Sequence, residues 1–245
     1  MYKRQFKKPD GVTGAVDDAL GVVITQLIVD GVIKGFAGET TLIHTFGKIK
    51  PKRVLVIGMG SQDKFDAQVI RRVTAEAVRF LRRKGIFKAA TVAHGAGIRG
   101  LDPAVSGQSM AEGAYLGLYK FGTYLTKNVD SANEFENLTV VDSDQAKVKS
   151  IETGVNLGNA VAHASIKARD MVNEPANHMT PSRMAEAANN ISKEHKLGIE
   201  VLDNAQMKKM GMGAFMGVAQ GTDEPAKLII LRYDGCLLYT SDAAD

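Results

Sequence analysis

One stretch of the 245-residue chain has the spacing of a phosphate cradle: Gly95-Ala96-Gly97-Ile98-Arg99-Gly100, which fits G-x-G-x-x-G after a predicted strand. Such glycines let backbone N–H groups approach a pyrophosphate at a helix N-terminus. Three features weaken that reading. The following helix starts only at Pro103, the stretch does not follow the first strand of a βαβ unit, and no acidic residue closes a strand about 20 residues on. A glycine-rich connector accounts for it better. Gly58-Met59-Gly60 is weaker still, and Gly47-Lys48 lacks the glycine spacing and Ser/Thr of a P-loop.

Metal and nucleophile chemistry find little support. The five histidines (His44, His94, His163, His178, His195) show no ligand spacing, and no H-E-x-x-H occurs. His94 at a strand end and His178 in a connector are the two worth locating in space. No G-x-S-x-G marks a serine nucleophile. The lone Cys236 excludes an internal disulfide and any multi-cysteine metal site. Arg71, Arg72, Arg79, Arg82, Arg83 and Lys84 form a basic face on one predicted helix that could meet a phosphate backbone. A solvated face is the simpler reading: the last three complement the helix C-terminus, and Glu76 interrupts the field. Met207, Met210, Met212 and Met216 read as plastic core filling.

Composition fits this picture. The chain is 44% hydrophobic and 24% charged, enough to bury a sizeable core. Its net charge of +4 demands neither nucleic acid nor membrane. No apolar run approaches the roughly 18 residues of a membrane span, and the basic N-terminus lacks the apolar centre of a signal peptide. A cytoplasmic location is expected. Residues 1–5 (MYKRQ) and 236–245 (CLLYTSDAAD) lack the pattern of their surroundings and are expected to be non-native ends.

The elements that would position these residues alternate between strand and helix, which predicts an α/β fold. Residues 17–30 read as one helix, 40–46 and 53–57 as strands. The second strand, R-V-L-V-I, is a continuous apolar run of the kind buried on both faces. Residues 66–84 form an amphipathic helix stopped by Gly85, 89–93 a strand, and 102–120 a helix. Gly107, Gly113 and Gly117 on that last helix would allow close approach to a sheet. A polar loop (125–137) and a strand (138–141) precede one long helix, 144–171, roughly 40 Å at ~1.5 Å per residue. Its small residues Ala160, Ala162, Ala164 and Ala168 suit packing. Beyond it come strands at 199–202, 214–219 and 227–233 and a short helix at 205–210.

Between the long helix and the next lies A-R-D-M-V-N-E-P-A-N-H-M-T-P, residues 168–181. Pro175 disfavours a helical Glu174, so the helix must end near Asn173 and an extended bridge follow. Thr180 can cap a new helix with Pro181 in its first turn, and Gly198 can end that helix beyond His195 and Lys196. This stretch resembles the segment that opens the catalytic domain of leucyl (cytosol) aminopeptidases. G-M-G-A-F-M-G-V-A-Q-G (211–221) is similarly specific. G-E-T-T-L-I-H-T-F-G-K (38–48), K-R-V-L-V-I-G-M-G (52–60) and M-A-E-G-A-Y-L-G-L-Y-K-F (110–121) resemble the family's N-terminal domain in order.

The resemblance implies a macro-like N-terminal domain at 6–143, a linking helix at 144–171, and the start of an α/β/α catalytic domain at 172–235. It implies a metallo-aminopeptidase acting on peptides with free N-termini, two divalent cations (manganese, zinc or magnesium) activating a bridging water, and a homo-hexamer. The family's ligands are a lysine, three aspartates and a glutamate, in motifs like V-G-K-G-x-T-F-D-S-G-G and N-T-D-A-E-G-R. Neither motif occurs here, so no catalytic, cofactor-binding or metal residue is assigned, and no cation is expected on this chain alone. Asp203, Asp223 and Asp234 are left unassigned. The alternative from another class is a non-enzymatic α/β module binding nucleotide or nucleic acid.

Overall fold

The computed structural model describes residues 9, 11–96, 100–126 and 134–235. The proposed foreign ends therefore lie outside the described residues. The chain is a mixed α/β protein that divides into two compact units, Met1–Ala168 and Arg169–Asp245.

The first unit opens with α1 (Gly11–Leu20) and α2 (Val23–Val29). They are two helices bent by 102°, not the single helix expected over 17–30. Gly21 (φ 78°) and Val22 (φ 58°) turn the chain between them. Asp17, fully buried, holds the corner: its carboxylate accepts the backbone N–H of Ile24 at 2.7 Å and of Thr25 at 3.2 Å. Those donors belong to the first turn of α2 and have no partner inside the helix. Leu20 and Ile24 then pack with Ile33 and Ile43. No single helix among the described residues is long and apolar enough to cross a membrane. The bent pair α1–α2 passes that test only jointly, on length and composition.

β1 (Thr40–His44) and β2 (Arg53–Ile57) pair antiparallel, with Leu42 opposite Leu55. β2 is not buried on both faces as its apolar run predicted. It is half-buried at most, because among the described residues it has one neighbour. β3 (Lys88–Val92) and β4 (Asn137–Val141) pair parallel, with Ala90 opposite Thr139. Between β2 and β3 runs α3 (Ala67–Arg83), capped by Asp66 and stopped by Gly85 at φ 65°, as expected.

α4 (Pro103–Leu118) starts on the Asp102 cap with Pro103 in its first turn. The long helix is α5 (Gln145–Asn173). The glycines of α4 do not approach a sheet. A Cβ on Gly113 would strike the carbonyl of Arg71 on α3, and one on Gly107 the carbonyl of Ile151 on α5. α5 reciprocates: a Cβ on Gly154 would overlap the carbonyl of Ala104, and one on Gly158 would sit 2.5 Å from that of Gln108. Of the four alanines expected to pack, Ala162 is buried and Ala160, Ala164 and Ala168 are exposed. Glycines, not alanines, make the close surface.

The second unit holds α6 (Pro181–His195), β5 (Gly198–Leu202), α7 (Asn204–Lys209), α8 (Gly213–Ala219) and β6 (Leu228–Arg232). β5 and β6 pair antiparallel. α6 ends one residue earlier than glycine placement suggested: Lys196 takes the left-handed C-cap (φ 54°), and Gly198 begins β5. Residues 214–219 are helix, not strand. Met212, Met216 and Ala219 fall at helical spacing and pack on Leu202, Met207 and Ala226.

Two outcomes follow for stability. Gly154→Val should destabilise the first unit by about 3 kcal/mol, because a side chain there must push two helix backbones apart. Gly122→Ala, whose Cβ would meet only Leu125 at 3.9 Å, should change it by less than about 0.5 kcal/mol. Thermal unfolding of both variants checks this. The second concerns His94, just past β3, whose pKa burial pushes down to about 4 from 6.5. The unfolded chain then takes up this proton first, so stability is full above pH 6.5 and falls as pH drops toward 4. The fully shielded limit is about 3 kcal/mol. His94 is only half-buried by its exposed area, so a loss of about 2 kcal/mol is expected. Denaturant titrations at pH 7 and pH 4 should show it in the wild type and not in His94→Gln.

Candidate functional site

The structure separates the residues that spacing had singled out. His94 sits on the α4 side of β3, where its backbone N–H meets Met110 Sδ at 3.4 Å and its carbonyl accepts the Ser106 hydroxyl at 2.7 Å. Gly95 (φ 76°) is required by packing, since a Cβ there would collide with the Phe65 ring. Gly97, Ile98 and Arg99 lie outside the described residues, so the cradle reading is untouched beyond Gly95, Ala96 and Gly100. The first turn of α4 already uses Asp102, whose carboxylate accepts the Ala104 N–H at 2.9 Å.

The remaining histidines are dispersed. The His44 ring lies tilted to that of Phe46 with centres 6.1 Å apart, the His163 ring tilted to that of Tyr115 at 4.7 Å, and His195 lies 3.8 Å from Glu194. The backbone N–H of His178 closes a turn onto the carbonyl of Pro175 at 2.8 Å. Residues 174–179 are thus a turn and not the extended bridge expected, with Met179 donating to the same carbonyl at 3.0 Å. Thr180 does cap α6, accepting the Arg183 N–H at 3.3 Å. Among the described residues no group of three His, Cys, Asp or Glu side chains could hold a metal ion. Asp203 serves the fold, forming a reciprocal capping box with Gln206 at the start of α7.

The basic face of α3 is largely consumed within the unit. Arg71 pairs with the nearly buried Glu112 of α4, which also accepts from Gln108 at 2.7 Å. Arg79 pairs with Glu76, Arg82 donates to the Leu118 carbonyl at 2.8 Å, and Lys84 lies 5.7 Å from the Phe80 ring centre. Arg71 and Arg82 tie α3 to α4, while Arg79 and Lys84 are engaged along α3 itself. Of the four clustered methionines, Met207 is buried, Met212 and Met216 pack on it, and Met210 is 64% exposed.

What spacing missed is a cavity of about 470 Å³ in the first unit, bordered by β2, β3 and α3. Its signal in the sequence was the unbroken apolar run of β2.

Comparison with known proteins agrees with the order of these elements. Residues 2–128 match the N-terminal domain of the cytosol aminopeptidase family, and residues 166–242 match its catalytic domain. A probable cytosol aminopeptidase of Alkaliphilus metalliredigens (strain QYMF) is 34% identical over 232 residues, which are 94% of this chain and 46% of that protein. Two solved structures share the fold. A mutant of tomato leucine aminopeptidase matches with TM-score 0.75 at 22% identity, over 91% of this chain and 43% of its own. The bottromycin maturation enzyme BotP in complex with Mn matches with TM-score 0.72 at 24% identity, over 85% and 42%. The chain therefore spans less than half the length of the relatives it matches. With both domain matches in order along it, the chain belongs to the cytosol aminopeptidase family.

Proposed function

We propose that this chain is the N-terminal domain and the opening of the catalytic domain of a metallo-aminopeptidase that removes N-terminal residues from peptides in the cytoplasm. The observation that carries the reading is the match of residues 166–242 to the family's catalytic domain, with A-R-D-M-V-N-E-P-A-N at its start. The boundaries we assign are 6–143, 144–171 and 172–235. The division of the chain at Ala168 supports placing the second domain's beginning near the end of α5. A homo-hexameric assembly is part of the same reading.

Two divalent cations, manganese among them, would supply a water of lowered pKa and a stabilised oxyanion. The described residues do not furnish a ligand set for them. No step is therefore routed through His94, His178 or Asp203. The contribution of this stretch is scaffolding. The capped start of α6, the β5–β6 pair and the methionine core fix the first elements of the catalytic domain.

The test compares two proteins under the same conditions: the full-length reading frame containing this stretch, and the 245-residue chain. With manganese, the first should release p-nitroaniline from leucine p-nitroanilide, lose that activity in chelator, and ignore the N-acetylated substrate. The second should be inactive. A full-length protein that leaves every free-amino p-nitroanilide intact would end the reading.

A further inference from the structure

Two apolar residues of the first unit hold a backbone conformation that neither favours. Among the described residues the non-glycine residues with positive φ are Val22 (58°), Phe46 (50°) and Lys196 (54°). Lys196 caps the end of α6, a usual place for such a residue. Val22 and Phe46 are turned to solvent, 48% and 91% exposed. Strain of this kind persists only where the surrounding structure fixes it, and it clusters at functional sites. The two turns adjoin. Lys48, two residues past Phe46, donates from Nζ to the Leu20 carbonyl at 2.7 Å, and a Cβ on Gly21 would lie 3.2 Å from that same nitrogen. The β1–β2 turn is itself fixed. Thr45, 1% exposed, donates its hydroxyl to the Pro51 carbonyl at 2.6 Å and its N–H to the Lys52 carbonyl at 3.1 Å, and the Lys48 N–H donates to the Thr45 carbonyl at 3.0 Å. Phe46 thus stands out from a rigid turn.

Positive charge accompanies the two apolar tips. Lys50, Lys52 and Arg53 are exposed on the same turn, and residues 40–61 contain no Asp or Glu. No ion pair among the described residues engages any of the three. An exposed aromatic with an aliphatic neighbour beside cations has the composition of an interfacial anchor. Apolar tips enter the boundary of the acyl chains, while ammonium and guanidinium groups meet anionic headgroups. We infer that the β1–β2 turn and the α1–α2 corner together form a docking surface for an anionic lipid membrane. Phe46 and Val22 are its inserted side chains, and Lys50, Lys52 and Arg53 its headgroup contacts. Nucleic acid would use the same charges but fits the apolar part worse. Single-strand binding relies on aromatic faces repeated along a groove, and Val22 offers no face to a base. With two tips and three charges the contact is peripheral and reversible.

The surface is independent of the peptidase reading and is tested on the 245-residue chain with lipid vesicles. Saturable co-sedimentation is expected with mixed phosphatidylcholine–phosphatidylglycerol vesicles. It should be at least about tenfold weaker with phosphatidylcholine alone and fall with added salt. Because the chain has no Trp, Phe46→Trp supplies a single reporter. Its emission should shift to the blue on the mixed vesicles and be quenched by brominated acyl chains. Asn tolerates the left-handed conformation, so Phe46→Asn and Val22→Asn should unfold at no lower temperature than the wild type. Phe46→Asn should nevertheless weaken binding about tenfold, and Val22→Asn about threefold. Lys50→Glu with Lys52→Glu should weaken it at least about tenfold. Vesicles left unbound, unchanged binding by Phe46→Asn, a reporter quenched by acrylamide in the water but not by brominated chains, or an oligonucleotide bound through Phe46 where vesicles are not would each overturn the inference.

Discussion

Three helix backbones in direct contact set the shape of the first unit. α4 meets α3 at Gly113 and α5 at Gly107 and Gly154, and at each point a single added carbon would collide with a carbonyl. Dispersion falls off over fractions of an ångström, so backbones this close gain contacts that bulkier surfaces forfeit. The glycines cost helix propensity, and the contact they permit returns more than that. Arg71 and Glu112 can pair because α3 and α4 are held together, and Arg82 reaches the end of α4 for the same reason.

Much of this was legible in the sequence where a local rule acts alone. Thr180 announced a helix cap and accepts the backbone donor expected of one, and the helices expected from 66 and 102 start on Asp66 and Asp102 caps. Gly85 announced a stop. The errors came where a tertiary partner decided the outcome. The corner at Gly21-Val22 is invisible to apolar spacing, which runs unbroken from Leu20 to Ile28; a buried carboxylate makes it. Residues 214–219 read as strand because short apolar runs carry both periods, and contact with Met207 selects the helical one. The glycines of α4 were correctly read as close-contact positions but assigned to the wrong neighbour, since spacing does not name what lies opposite.

Functional residues were less legible, and for a physical reason. Histidines, arginines and glycines gain a chemical reading by convergence in space, and the structure disperses these. His94 is held between β3 and α4, Arg71 and Arg82 of α3 serve α4, and Gly95 makes room for Phe65. The informative signals were longer: the ordered segments that resemble the cytosol aminopeptidases.

Val22 illustrates how such a fold retains an awkward residue. A β-branched side chain at φ 58° is strained, and with Val22 48% exposed, packing returns little. The buried carboxylate of Asp17 holds the corner from its other side, by accepting the Ile24 and Thr25 backbone donors. Glycine or asparagine at position 22 would relax the bend, whereas loss of the Asp17 carboxylate would leave the first-turn donors of α2 without their acceptor.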